Sequence, residues 1–170
     1  MEERLNLREF QSRLAERLKS VASGAGETSK LGFIAGGRHW LVALDQVSEV
    51  VTVSHLARAP WTQPWFLGVA GVRGAIYGCT DLAAFLGLPP TEHRDEIRLL
   101  LANARFASHA AFRIDQALGL RNISGMRSQV DTNNEAPWMV ARYEDNGGVV
   151  WQEIAFDRLL EEPRFLQVAA

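Results

Sequence analysis

Apolar residues first recur at helical spacing, at Leu7, Phe10, Leu14, Leu18 and Val21, while Arg8, Glu9, Arg13, Glu16, Arg17 and Lys19 occupy the other faces. This predicts an amphipathic helix over residues 1–22. A Gly/Ser-rich linker follows at 23–30, so the helix either docks on the body of the protein or reaches a partner. From Leu31 the period changes to two. Leu31, Phe33 and Ala35 alternate with other residues, Gly36-Gly37 supplies a two-residue turn, and Trp40, Val42 and Leu44 resume the alternation. Val47, Val50, Val51 and Val53 form a β-branched run, and Pro60, Trp61, Pro64 and Trp65 then interrupt any ladder.

The segment Gly68–Gly87 reads as an apolar strand, a tight Arg73-Gly74 turn, a second strand through Cys79, and a short helix stopped by Gly87 and Pro89-Pro90. A polar connection at 89–96 divides two halves of similar texture. Beyond it come apolar runs at 97–101 and 109–114, and a strand at 117–120 with Gly119 as a candidate bulge. Residues 122–135 are polar and read as a loop. Residues 138–143 and 149–154 read as strands joined by an Asp145-Asn146-Gly147-Gly148 turn, and 157–162 as a helix ended by Pro163. The tail Phe165-Leu166-Gln167-Val168 is too apolar to float free. Many short strands and few helices predict a mainly β protein, built as two small barrels packed together.

Composition narrows the function classes. The 170 residues suffice for one domain or two fused lobes, and 47% hydrophobic with 22% charged residues is ordinary for a globular protein. A net charge of -2 gives no electrostatic reason to expect nucleic acid or an anionic membrane as partner. The lone Cys79 sits in an apolar strand and reads as a small buried hydrophobe. With no secretory signal and no stretch apolar enough to span a bilayer, the expected location is cytoplasmic, with no membrane insertion.

Candidate chemistry is sparse. His93-Arg94-Asp95 resembles the start of a kinase catalytic loop, but Leu100 stands where that loop needs Asn. His39, His55, His93 and His109 are far apart in sequence with no ligand-spaced partner, and Asp131, Asn133 and Glu135 precede Ala136 where a calcium loop needs Gly. Gly24, Gly26 and Gly32 do not open a helix after a strand, and no serine sits in a nucleophile elbow. No catalytic residue, metal site or cofactor is therefore assigned. Arg73, held between glycines at the end of an apolar strand, is instead suited to docking a partner through forked hydrogen bonds, or to fixing its own turn. Of the five tryptophans, most are expected in the core, with Trp61 and Trp65 as candidate surface contacts beside prolines. An alternative is a small-molecule sensor whose pocket is lined by Trp61, Trp65 and Trp138.

Gly68-Val69-Ala70-Gly71-Val72-Arg73-Gly74, followed by a hydrophobic strand and Asp81-Leu82, resembles the central Gly-x-x-Asn-Leu-Arg-Gly and Asp-Leu pattern of the CheW-like chemosensory adaptors. The resemblance extends to Val47-Ser48-Glu49-Val50, Ile114-Asp115, Leu118-Gly119 and Phe156-Asp157-Arg158-Leu159-Leu160, covering roughly Leu31 to Leu160. Gly71 replaces the family's Asn and Gly78 its strand proline. The first segment and the ending Glu162-Pro163-Arg164-Phe165-Leu166 look like the PilI branch, which serves type IV pilus twitching motility.

The resemblance implies two SH3-like five-stranded barrels over residues 31–162 with an added N-terminal helix, a short C-terminal helix and a tail at 163–170. It further implies no enzymatic activity, and a bridge between a methyl-accepting chemoreceptor and the CheW-like domain of a CheA-type histidine kinase. A flagellar array is the alternative setting. Carried over by motif, Arg73 would contact the receptor's cytoplasmic hairpin tip, with Val47, Val50 and Leu118 as apolar lining. Gly68, Gly71, Gly74 and Asp81 would shape the motif, Asp81 by capping the short helix. Glu49, Trp61 and Trp65 are candidate rim contacts.

Overall fold

The computed structural model describes residues 28–92, 95–129 and 136–170, so the N-terminal helix expected over 1–22 lies outside the described residues. Alternation gives way to pairing as expected. β1 (Ser29–Ala35) and β2 (Arg38–Ala43) form a hairpin around Gly36 and Gly37, which take φ of 59° and 71°, the left-handed pair that a tight two-residue turn requires. β3 (Val47–Val53), β4 (Phe66–Val72) and β5 (Ala75–Asp81) follow, then α1 (Leu82–Phe85), β6 (Ile97–Ala102), β7 (Ala110–Arg113) and β8 (Gln116–Asn122). The chain ends with β9 (Arg127–Gln129), β10 (Met139–Glu144), β11 (Val150–Ile154), α2 (Phe156–Leu160) and α3 (Pro163–Leu166).

The strands make two sheets, ordered β8-β1-β2-β11-β10-β9 and β3-β6-β7-β5-β4. The lobes are therefore not sequence halves. The second sheet is one continuous stretch, whereas the first joins the opening hairpin to the closing strands through parallel pairing of β2 with β11. The polar connection at 89–96 falls inside the second sheet and is not the boundary between lobes. The first sheet also has six strands rather than five, because β9, read from sequence as loop, adds to the edge of β10. Ser29 and Lys30, assigned to the linker, already belong to β1. Pro163 does not merely follow a helix; it occupies the first turn of α3, where its missing N–H costs nothing.

The main core lies between the sheets. Phe33, Trp40 and Val42 of the first sheet meet Leu100 and Phe112 of the second, with Leu82, Phe85, Phe156 and Phe165 from the helices. Trp65 belongs here too. It stacks on Phe165 with ring centroids 5.9 Å apart and meets Phe85 edge-on at 5.1 Å, so this candidate surface contact has a core role instead. Trp138 packs against the same cluster, while Trp61 is 86% exposed. The three tryptophans therefore do not line a common pocket.

A second core lies inside the second sheet, where Val51 and Val53 of β3 join the cluster holding Ala70 and Val72 of β4. Since β3 and β4 are the two edges of that sheet, it must curl upon itself. Cys79 is fully buried in this core, and burial pushes its thiol up to about 11. Reagents that need a thiolate should fail to label Cys79 in the native protein near neutral pH and should label one thiol after denaturation. Native-state labelling at the rate of a free thiol would contradict this packing.

Candidate functional site

The Arg73-Gly74 turn joins β4 to β5 with Val72 opposite Ala75, and its residues take φ of 50° and 83°. Gly74 occupies that region at no cost, but Arg73 holds it against a penalty of about 1 kcal/mol or more. The side chain is thereby thrown outward from the hairpin tip. Its guanidinium lies 2.8 Å from a Glu49 carboxylate oxygen, with the Arg73 side chain 78% exposed and that of Glu49 30% exposed. Glu49 lies on β3 and Arg73 beside β4, so the pair ties together the two edge strands of the curled sheet. An exposed pair of this kind contributes about 1 kcal/mol or less. Among the described residues, Arg73 thus engages a carboxylate instead of the carbonyls of its own turn.

Apolar residues flank this pair. Val50 stands opposite Leu100, which is fully buried between the sheets; lying on the edge strand, Val50 itself is 37% exposed. Val47 packs partly buried against the same core. On the other lobe β8 is the edge, and there Leu120 stands opposite Leu31 and is 42% exposed. Leu118 is half-buried on β8, at the bulge where the register shifts opposite Gly32 and Phe33, with Gly119 at φ 79°. A cleft of about 250 Å³ is lined by Thr52 of β3, Arg98 of β6, and Ile114 and Asp115, which lead directly into β8. Val47 and Val50 thus lie on an edge strand of one sheet, and Leu118 and Leu120 on an edge strand of the other. Leu120 was missed by sequence reasoning, since exposure at a sheet edge is visible only once strand order is known.

The remaining motif residues divide into distinct roles. Asp81 is 3% exposed and caps α1 by accepting from the Ala84 N–H at 3.1 Å; it also accepts from the Thr91 N–H at 3.1 Å and the Thr91 hydroxyl at 3.3 Å. α1 then closes through Gly87 at φ 74°, with the Gly87 N–H on Ala84 O and the Leu88 N–H on Ala83 O. Gly68 takes φ 125° where β4 touches the loop at Ala57. Gly71 has open space around it and no left-handed torsion, so nothing local demands glycine there. Trp61 sits at φ 58° in a loop bridged to the chain end by Thr62 and Ala169.

No group of His, Cys, Asp and Glu among the described residues could hold a metal. His39 meets Trp151 edge-on at 4.9 Å, His55 bonds Ser54, and His109 lies by Tyr77, three separate places. His93, Arg94 and Asp131–Glu135 lie outside the described residues.

The CheW-like domain profile matches residues 30–164. The chain belongs to the CheW-like domain family. It is 29% identical over 123 residues to Protein PilI of Pseudomonas aeruginosa, an alignment covering 72% of this chain and 66% of PilI. It is 22% identical over 142 residues to the chemotaxis protein CheW of Helicobacter pylori, covering 78% of this chain and 86% of that one. The chain thus spans just under two thirds of the length of PilI. The crystal structure of the scaffolding protein TtCheW from Thermoanaerobacter tengcongensis superposes with a TM-score of 0.62 at 15% identity, covering 75% of this chain and 88% of that one, which shows a shared fold. CheW-like proteins are non-catalytic scaffolds, and the similarity to PilI supports the PilI-like branch. No described helix is long and apolar enough to cross a membrane.

Proposed function

We propose that this adaptor couples a methyl-accepting chemoreceptor to a CheA-type histidine kinase in the signalling system of a type IV pilus, on the cytoplasmic side of the receptor array. The likeness to PilI supports the pilus setting. The observation that supports receptor docking is the Arg73–Glu49 pair at the surface, next to the exposed Val50 on the edge strand β3. In this reading a receptor hairpin would meet Val47, Val50 and Leu118, while Arg73 faces its polar side.

The weakness of the Arg73–Glu49 pair is useful here. An exposed guanidinium held by a partly exposed carboxylate can be shared with a partner's carboxylate or carbonyl at little cost, and the left-handed turn already fixes where it projects. Signal transfer then needs the receptor and kinase contacts to favour the same arrangement, with interfaces on the order of 800 Å² per partner or less so that they can rearrange.

Replacing Arg73 with Ala should weaken binding of a receptor cytoplasmic tip by about 2 kcal/mol, roughly 30-fold, while the midpoint of thermal unfolding barely moves. Titration of the purified variant against the tip reads this directly; unchanged affinity in a folded protein would remove Arg73 from the interface. Co-purification with candidate CheA-type kinases and receptor tips tests the coupling itself. The identity of the captured kinase separates a pilus system from a flagellar one.

A further inference from the structure

Where β2, β11 and β10 run side by side, one face of the first sheet passes out of the core and ends in positive charge. Register sets Gln152 of β11 beside Trp40 of β2 and beside Arg142 of β10, so by strand alternation Arg38, Val150, Gln152 and Arg142 share the face that carries Trp40, Val42 and Ile154 into the main core. Beyond the core those four residues, with His39 and Val149, line a cleft of about 420 Å³. Arg38 is exposed and Arg142 half-buried. Neither forms an ion pair among the described residues, and the Arg142 Nε is enclosed with no acceptor. The neighbouring carboxylates are engaged elsewhere. Asp145 accepts from the Trp151 indole N–H at 3.0 Å and from the Gly147 and Val149 N–H groups at 2.9 and 3.0 Å. Glu144 accepts from the Gln129 amide at 3.1 Å, Glu153 holds Lys30 at 2.7 Å, and Asp115, which approaches the Gly37 N–H at 3.5 Å, lines a different cleft.

We propose that this cleft binds a small organic oxyanion, its phosphate or carboxylate held between Arg38 and Arg142 and its apolar part resting on Val149 and Val150. The two arginines stand on strands separated by one other, about 10 Å apart, a span that two long side chains close around one anionic group. Gln152 lies between them with a further amide donor. Each guanidinium offers forked N–H donors that match the oxygens of either group, and a half-buried charge without a counter-ion is stabilised when an anion supplies one. The concave shape and the volume are those of a small-molecule site. The receptor-docking reading is not needed here, since Arg73 and Glu49 belong to the second sheet and this cleft to the first.

The test titrates the full isotope-enriched chain with phenyl phosphate and, separately, with benzoate at constant ionic strength. Expected for at least one of them are saturable shifts of the Arg38, Val150 and Gln152 amides and of the Arg142 Nε–H, with a dissociation constant on the order of 1 mM. Whichever probe binds more tightly identifies the charged group. Inorganic phosphate, which has no apolar part, should bind about fivefold more weakly than phenyl phosphate. The double variant Arg38→Gln/Arg142→Gln, altered outside both cores, should lose about tenfold or more in affinity with the Phe33 and Phe112 amides unmoved. Arg38→Gln alone, at an exposed position, should lose about threefold and keeps the test open if the double variant folds poorly. No saturation by either probe at about twentyfold above that constant overturns the proposal. So does undiminished affinity in the variants, or shifts of equal size at Arg58 and Arg127, which would mark a general attraction of anions to surface arginines.

Discussion

Phe112→Ala is expected to lower the unfolding free energy by about 4 kcal/mol, the cost of truncating a fully buried aromatic residue in a core that relaxes only partly. Phe112 has no exposed surface, stacks on Phe156 with ring centroids 4.3 Å apart, and meets Phe165 at 5.7 Å. It belongs to the second sheet, Phe156 opens α2, and Phe33 and Trp40 of the same core come from the first sheet. The cavity would thus open where both lobes and the C-terminal helices meet. For a chain of this size, the melting temperature should fall by roughly 8–16 °C. Urea unfolding of the variant followed by tryptophan fluorescence and by circular dichroism should still show one coincident transition if the lobes unfold together. A loss below about 1 kcal/mol would mean that the inter-sheet core does not hold the molecule together.

How much of this arrangement could be read from sequence follows from which interactions are local. The Gly36-Gly37 and Arg73-Gly74 hairpins were legible, because a two-residue turn demands positive φ and the flanking alternation fixes the register. The cap at Asp81 and the stop at Gly87 were legible for the same reason: both act within a few residues. Partners distant in sequence left no such trace. Nothing in residues 38–43 announces parallel pairing with 150–154, and the similar texture on either side of residues 89–96 suggested a division that the sheets do not follow. β9 is Arg-Ser-Gln and has no apolar alternation; its pairing with β10 alone makes it a strand. Trp65, flanked by Pro64, was a candidate for either core or surface contact, and only the placing of α1 and α3, which supply Phe85 and Phe165 around it, makes it core. At the candidate site the motif located Arg73, and Glu49 was singled out only as a possible rim charge. Their contact depended on the sheet curling to bring its two edges together, and Leu120 depended on β8 being an edge.

Two glycines of the motif segment, Gly68 and Gly71, should respond in opposite ways to a side chain. A Cβ built on Gly68 would lie 2.1 Å from the Ala57 carbonyl oxygen and 2.9 Å from the Arg58 Cα, and the φ of 125° is one that only glycine adopts readily. The close approach is held by reciprocal bonds, Ala57 N–H to Val69 O at 2.9 Å and Val69 N–H to Ala57 O at 2.8 Å. Gly68→Ala must therefore either rotate the β4 backbone or push the 54–65 loop away from it. Two lost backbone hydrogen bonds at about 1 kcal/mol each, with a strained torsion of about 1–3 kcal/mol, predict a destabilisation of roughly 3–5 kcal/mol. Gly71 meets nothing within 4 Å, so Gly71→Asn should change stability by no more than about 0.5 kcal/mol. Thermal and urea unfolding of both variants provide the comparison, and amide exchange at Ala57 and Val69 locates the damage. If Gly68→Ala unfolded like the parent with those amides still protected, the loop would not be fastened to β4 by this contact.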